Sequence, residues 1–101
     1  MHEGPSMTDL IDNTSRRRFE LPVGGEVAFA DYAVEGGRLV LSHTSVPSAL
    51  EGRGVGSTLV RAVLDTARAR GMRVVSRCSF VTAFIRRHPE YADLLERPPG
   101  G

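Results

Sequence analysis

The chain has 101 residues, 41% hydrophobic and 25% charged, with 13 basic residues, all arginine, against 12 acidic ones and a formal net charge of +1. That balance gives no general pull toward nucleic acid, and no apolar run approaches the roughly 20 residues needed to span a bilayer. The single cysteine, Cys78, excludes an internal disulfide and a multi-cysteine zinc site.

Residues 1–15 are polar and rich in turn formers, and they read as a flexible N-terminal tail. MHEGPSMTDLIDNTSRRR has no apolar stretch of the kind a secretory signal carries, so a cytoplasmic location is expected. Residues 16–96 form the expected domain, and RPPGG at 97–101 reads as a flexible C-terminal tail. The basic cluster Arg16-Arg17-Arg18 reads as a solvated lead into the first strand.

Phe19-Glu20-Leu21 is predicted as a short strand, stopped by Pro22 and the turn Gly24-Gly25. EVAFADYAV (26–34) is a second strand, Glu35-Gly36-Gly37 a hairpin turn, and RLVLSHTSV (38–46) a third strand ended by Pro47. Together they make an antiparallel three-strand meander, with 19–21 as a candidate exposed edge. The period then changes. Val55, Leu59, Val63 and Ala67 form a helical stripe, with Arg61 able to pair with Asp65 on the outer side and Gly71 as the stop. MRVVSRC (72–78) reads as a buried strand. SFVTAFIRRH (79–88) reads as a short helix with Ser79 as N-cap, ended by Pro89. The fold class is therefore α+β: a meander, then a strand-loop-helix-strand crossover, then a short C-terminal helix. A crossover of this kind joins parallel strands. It brings the ends of strands 38–46 and 72–78 and the start of helix 55–71 to one edge, where ligands of such sheets bind.

The loop at that edge reads EGRGVG. A helix N-terminus offers unpaired N–H groups to an anion, and Gly52, Gly54 and Gly56 would let a phosphate approach the backbone closely, with Arg53 as an added cation. The competing reading is a glycine-rich turn with no ligand. The spacing fits neither a dinucleotide fingerprint nor a P-loop, since the chain has no lysine.

HTSVPSALEGRGVGSTLV resembles motif A of the GCN5-related N-acetyltransferases, whose Gln/Arg-x-x-Gly-x-Gly/Ala turn holds the pyrophosphate of acetyl-CoA. Gly54 and Gly56 fall on its glycine positions. The ordered set VAFADY, HT-x-VP, the glycine loop, CSFV and RRHPEYADLL is similar to a small single-domain subgroup of YjdJ type. The resemblance spans roughly residues 18–95. It implies a minimal form of that fold without the N-terminal helices, acetyl-CoA as cosubstrate and an amine acceptor; charge, apolar runs and the scattered His2, His43 and His88 separately lead to no nucleic acid, membrane or metal being expected. It also implies cofactor contacts from Thr44 and Val46 on the strand and from Gly52, Arg53, Gly54, Val55, Gly56 and Ser57 at the loop. In the family the strand before the loop splays from its parallel neighbour and the pantetheine arm lies in the gap, here around Thr44–Val46 and Arg77–Ser79. Two positions depart from the pattern. Glu51 stands where Gln or Arg is preferred, and its carboxylate must point away from a pyrophosphate or weaken its binding. Ser45 stands where the subgroup has Glu, a candidate general base.

Cys78 precedes a helix N-terminus, which favours thiolate, and the resemblance puts it near the thioester: it is either an acetyl acceptor or an inert buried thiol. His43 shares a face with Leu41 and Ser45 by the period of two, and it reads as a base for Cys78 or for an amine, or as a structural histidine. Tyr91 is either a proton donor to the leaving thiolate or a packing residue. Arg86 and Arg87 read as solvated, or as contacts to the 3′-phosphate of CoA. Two functions stay open: an N-acetyltransferase, with Cys78 and His43 as catalytic candidates, and a non-catalytic acetyl-CoA or CoA-binding module with a degenerate site.

Overall fold

Two pairs of glycines set the framework. Gly24-Gly25 and Gly36-Gly37 all have positive φ, from 55° to 84°. Such two-residue turns match the twist of paired strands, and they close tight hairpins here. The computed structural model describes residues 9–96, so the calls on residues 1–8 and on the C-terminal tail lie outside the described residues. In chain order the elements are β1 (Ile11–Asn13), β2 (Arg18–Val23), β3 (Glu26–Glu35), β4 (Arg38–Ser45), a 3-10 turn (Ser48–Leu50), α1 (Val55–Ala69), β5 (Arg73–Ser76), α2 (Ser79–Arg87) and a 3-10 stretch (Pro89–Leu94). They form one five-stranded sheet in the order β1-β2-β3-β4-β5. The first three pairings are antiparallel, and β4 runs parallel to β5.

The α+β fold class holds, with two changes at the start. Residues 11–13, read as tail, pair with β2 from Ile11↔Glu20 to Asn13↔Arg18, so 19–21 is not the sheet edge. Asp12 anchors this strand by accepting hydrogen bonds from the Tyr32 hydroxyl and from Arg70, which lies just past α1. Pro22 does not stop β2, which continues to Val23. Pairing with β1 has already ended at Glu20, so β2 is an edge at Pro22 and the missing N–H leaves no ladder bond unmade.

One irregularity decides which side chains meet. Asp31 pairs with His43 and Tyr32 with Leu41, so Ser42 is an extra residue in β4. A bulge of this kind breaks the strict alternation. His43 therefore does not share a face with Leu41, contrary to the period-two reading.

Both helices pack on one face. Phe19, Leu21, Ala28, Ala30, Leu39, Leu41 and Val74 bury there against Val55, Leu59, Val60, Val63, Leu64 and Ala67 of α1 and Val81, Phe84 and Ile85 of α2. The α1 stripe is the predicted one, and Gly71 at φ 68° supplies the left-handed stop. The expected Arg61–Asp65 pair does not form. The Tyr91 hydroxyl lies between them, donating to Asp65 at 2.8 Å and accepting from Arg61 at 3.3 Å. Among the described residues no helix covers the opposite face of the sheet. Phe29, Asp31, His43 and Ser45 lie on it, together with Ile11 and Val27, both among the exposed large apolar residues. Among the described residues no helix is long and apolar enough to cross a membrane.

Candidate functional site

The site begins where a ladder ends. β4 and β5 pair from Arg38↔Arg73 to Leu41↔Ser76, and the last bond runs from the Arg77 N–H to the Leu41 carbonyl at 2.8 Å. β4 continues to Ser45, but after Arg77 the other chain turns into α2. The two strands part, and among the described residues no strand lies beside the stretch of β4 past this point. The predicted gap near Thr44–Val46 and Arg77–Ser79 opens at this point.

A cavity of about 390 Å³ occupies the opening. Thr44 and Val46 form one wall, Leu50–Gly52 and Gly54–Ser57 a second, and Phe80 of α2 a third. Leu50 and Val55 are at the same time buried members of the hydrophobic core. The glycines have different reasons to be glycine. Gly52 and Gly54 sit at φ 84° and 73°, in the left-handed region that side chains disfavour. Gly56 has an ordinary helical backbone, but a Cβ there would lie 2.7 Å from the tip of the Phe80 ring. Gly54 is the N-cap of α1, and neither a side-chain cap nor an acidic residue occupies the first turn. The leading N–H groups of α1 therefore keep their partial positive charge for whatever sits before them.

Cys78, not Ser79, is the N-cap of α2, because the strand ends at Ser76 and the helix starts one residue sooner than the serine rule suggests. The thiol is only 8% exposed, and its Sγ lies 3.7 Å from the Thr44 Oγ1. Burial by itself pushes the thiol pKa up. Hydrogen bonds from the Val81 N–H, the Thr44 hydroxyl, the Phe80 N–H and the Thr44 N–H together outweigh burial and leave it below the usual value. Cys78 is not in the cavity wall but meets it through Thr44.

His43 belongs elsewhere. It is exposed on the bare face, its ring 6.3 Å from that of Phe29, while its neighbour Thr44 points to the helix side and meets Cys78. The expected His43–Cys78 pair is therefore absent, since adjacent strand residues point to opposite faces. Arg53 is exposed and outside the cavity wall, whereas Glu51 lines it. Tyr91 is buried against α1 and Phe84, and burial first, then its bond to Asp65, raises its pKa. It packs on helices rather than on the sheet, and it is committed to Asp65 rather than to the cavity. Arg86 and Arg87 are exposed in the last turn of α2. Phe80 and Leu50 were missed. The available signal for Phe80 was a large apolar residue at the second position of a helix, where a solvated one is usual. Among the described residues no group of three His, Cys, Asp or Glu side chains is placed to hold a metal ion.

Comparison with known proteins gives concordant results. A family model described as GCN5-related N-acetyl-transferase matches residues 18–94. The chain is 33% identical over 86 residues to Protein NATD1 of Bos taurus, an alignment covering 80% of this chain and 76% of that protein. With Protein NATD1 of Gallus gallus the identity is 31% over 86 residues, covering 80% and 78%. A solution NMR structure of a GCN5-like protein of Staphylococcus aureus, described there as a proposed N-acetyltransferase, has a similar fold. The TM-score is 0.68 at 23% identity, covering 94% of each chain.

Proposed function

The chain belongs to the GCN5-related N-acetyltransferase family, and on that premise we propose that it binds acetyl-CoA in the gap between β4 and β5 and passes the acetyl group to an amine. The observation that carries this reading is the coincidence of three features at one place. The strands part there, the left-handed glycines Gly52 and Gly54 turn the chain there, and the uncapped start of α1 opens there. Phosphates suit the N–H groups around Gly54, Val55, Gly56 and Ser57. An amide-bearing arm suits the edge of β4 past Thr44, beside Val46, as an added strand would.

The acetyl end then falls toward Cys78. Its thiolate, held by the Val81 and Phe80 N–H groups and the Thr44 hydroxyl, attacks the acetyl carbonyl, and the C–S bond to CoA breaks with CoA leaving as thiolate. An amine lone pair next attacks the S-acetyl carbon, the bond to Cys78 breaks, and the amine loses a proton. That proton goes to solvent, because His43, the base expected from the sequence, lies on the opposite face of the sheet from Cys78 and outside the cavity wall.

Calorimetry with acetyl-CoA tests the binding, with Gly54→Asp as the blocked variant. Mass spectrometry after exposure to acetyl-CoA tests the covalent step. Acetylation no greater than in Cys78→Ala would remove Cys78 from the route.

One observation favours a second reading, a binding module without turnover. Glu51 lines the cavity, and its carboxylate repels a pyrophosphate there. Tight binding of acetyl-CoA with no CoA released in the presence of amines would establish that reading instead.

A further inference from the structure

We propose that Phe80 is the wall that holds the pantetheine arm of CoA against β4, and that residue 56 is glycine to leave room for that ring. The inference rests on the acetyl-CoA reading above and adds to it the residue that grips the arm.

The structure gives Gly56 no backbone reason to be glycine. It is the second residue of α1, with right-handed helical geometry, where alanine would favour the helix. What a side chain there meets is the tip of the Phe80 ring, which must swing aside to admit it. A Cβ on Gly56 would meet its Cζ at 2.7 Å and both Cε atoms at 3.4 Å. The ring itself is 42% exposed. The other large exposed apolar residues among those described, Ile11, Val27 and Val34, are on strands of the sheet, whereas Phe80 lines the cleft. An aromatic ring left in water and a glycine inside a helix are both unfavourable, and neither adds to the core. They make sense together if the ring packs on something that enters. The arm of CoA alternates methylene and amide groups. The amides match the open edge of β4, and the methylenes match an apolar channel with Val46 and Phe80 in its walls.

The competing explanation of Gly56 is close approach of a phosphate, and the two predict different results. Calorimetry with CoA is set beside calorimetry with adenosine 3′-phosphate 5′-diphosphate, which has the same phosphates and no arm. Phe80→Ala is expected to weaken CoA about tenfold, from apolar area left wet, and to leave the nucleotide unchanged. Gly56→Ala is expected to displace the ring and lower the CoA affinity in the native background, with little change in the melting temperature. In the Phe80→Ala background it should raise or keep the melting temperature and cost no further affinity. Equal loss of both ligands in Phe80→Ala, or no loss of either, would overturn the proposal. So would a Gly56→Ala loss of nucleotide affinity that persists without the ring. A native protein that binds neither ligand would overturn the acetyl-CoA reading and this inference with it.

Discussion

Replacing Gly54 by aspartate separates the turn from the cradle. Gly54 sits at φ 73° with nothing within 4 Å of where a Cβ would be, so a side chain meets no clash. The cost is backbone strain, about 1 kcal/mol for an L-residue and less for Asp or Asn, which tolerate this region best. Gly54 is also the N-cap of a helix that has no side-chain cap, and Asp there recovers a few tenths of a kcal/mol. The net loss should stay under about 1 kcal/mol, at most a fall of roughly 4–8 °C in melting temperature. Binding should respond far more. A carboxylate at roughly 5 Å from a phosphate costs about 1–3 kcal/mol between water-like and surface dielectrics, which is about 5- to 150-fold in affinity. The control is Gly54→Asn, which keeps the shape and the turn without the charge. The assays are thermal unfolding by circular dichroism and calorimetry with acetyl-CoA. If Asn weakens binding as much as Asp, charge is not the cause. If Asp binds like the native protein, the loop is only a turn.

Glu51→Gln removes the carboxylate that lines the cleft and should tighten acetyl-CoA about 3- to 10-fold, with the gain shrinking as salt is raised. Calorimetry at two ionic strengths checks both parts. Thr44→Val removes the hydroxyl donor to the Cys78 thiolate, so the pH profile of iodoacetamide alkylation should move to higher pH; an unmoved profile would show that the backbone N–H groups of Val81, Phe80 and Thr44 suffice to lower this thiol. Tyr32 is pushed up to about 12 by burial and by its bond to Asp12. The folded chain therefore holds this proton where the unfolded chain, near 10, has lost it. Stability should fall as pH rises from about 10 to 12, and in Tyr32→Phe the fall should be smaller, as read by urea unfolding at pH 9, 10 and 11.

Much of the architecture is written in short local signals. Glycine pairs mark both hairpins, and the stripe from Val55 to Ala67 marks α1, because each depends only on neighbours in the chain. What escaped depends on distant partners. Ile11-Asp12-Asn13 has no strand pattern of its own, and it is held by Tyr32, Arg70 and Glu20. The bulge at Ser42 is a matter of register across two strands, and it reversed the face assigned to His43. A local helix pair, Arg61 with Asp65, gave way to a tyrosine 26 residues from Asp65. At the candidate site the glycine loop, Thr44 and Val46 were legible through a motif. Phe80 was not, because its neighbour Gly56 lies 24 positions away in sequence and only folding brings them together.

Leu50 and Val55 belong to two structures at once, the core and the cleft. Among the described residues the helices form one layer over one core, so the cleft cannot yawn without loosening the packing that keeps this domain folded. Its mouth is thus expected to be stiff, with the freedom to adjust concentrated in the exposed ring at its rim. Evolution faces the same coupling: substitutions that reshape these two walls draw on the small reserve of stability of a short chain. Change in what the cleft accepts is easier to reach through the rim residues, which can vary without disturbing the interior.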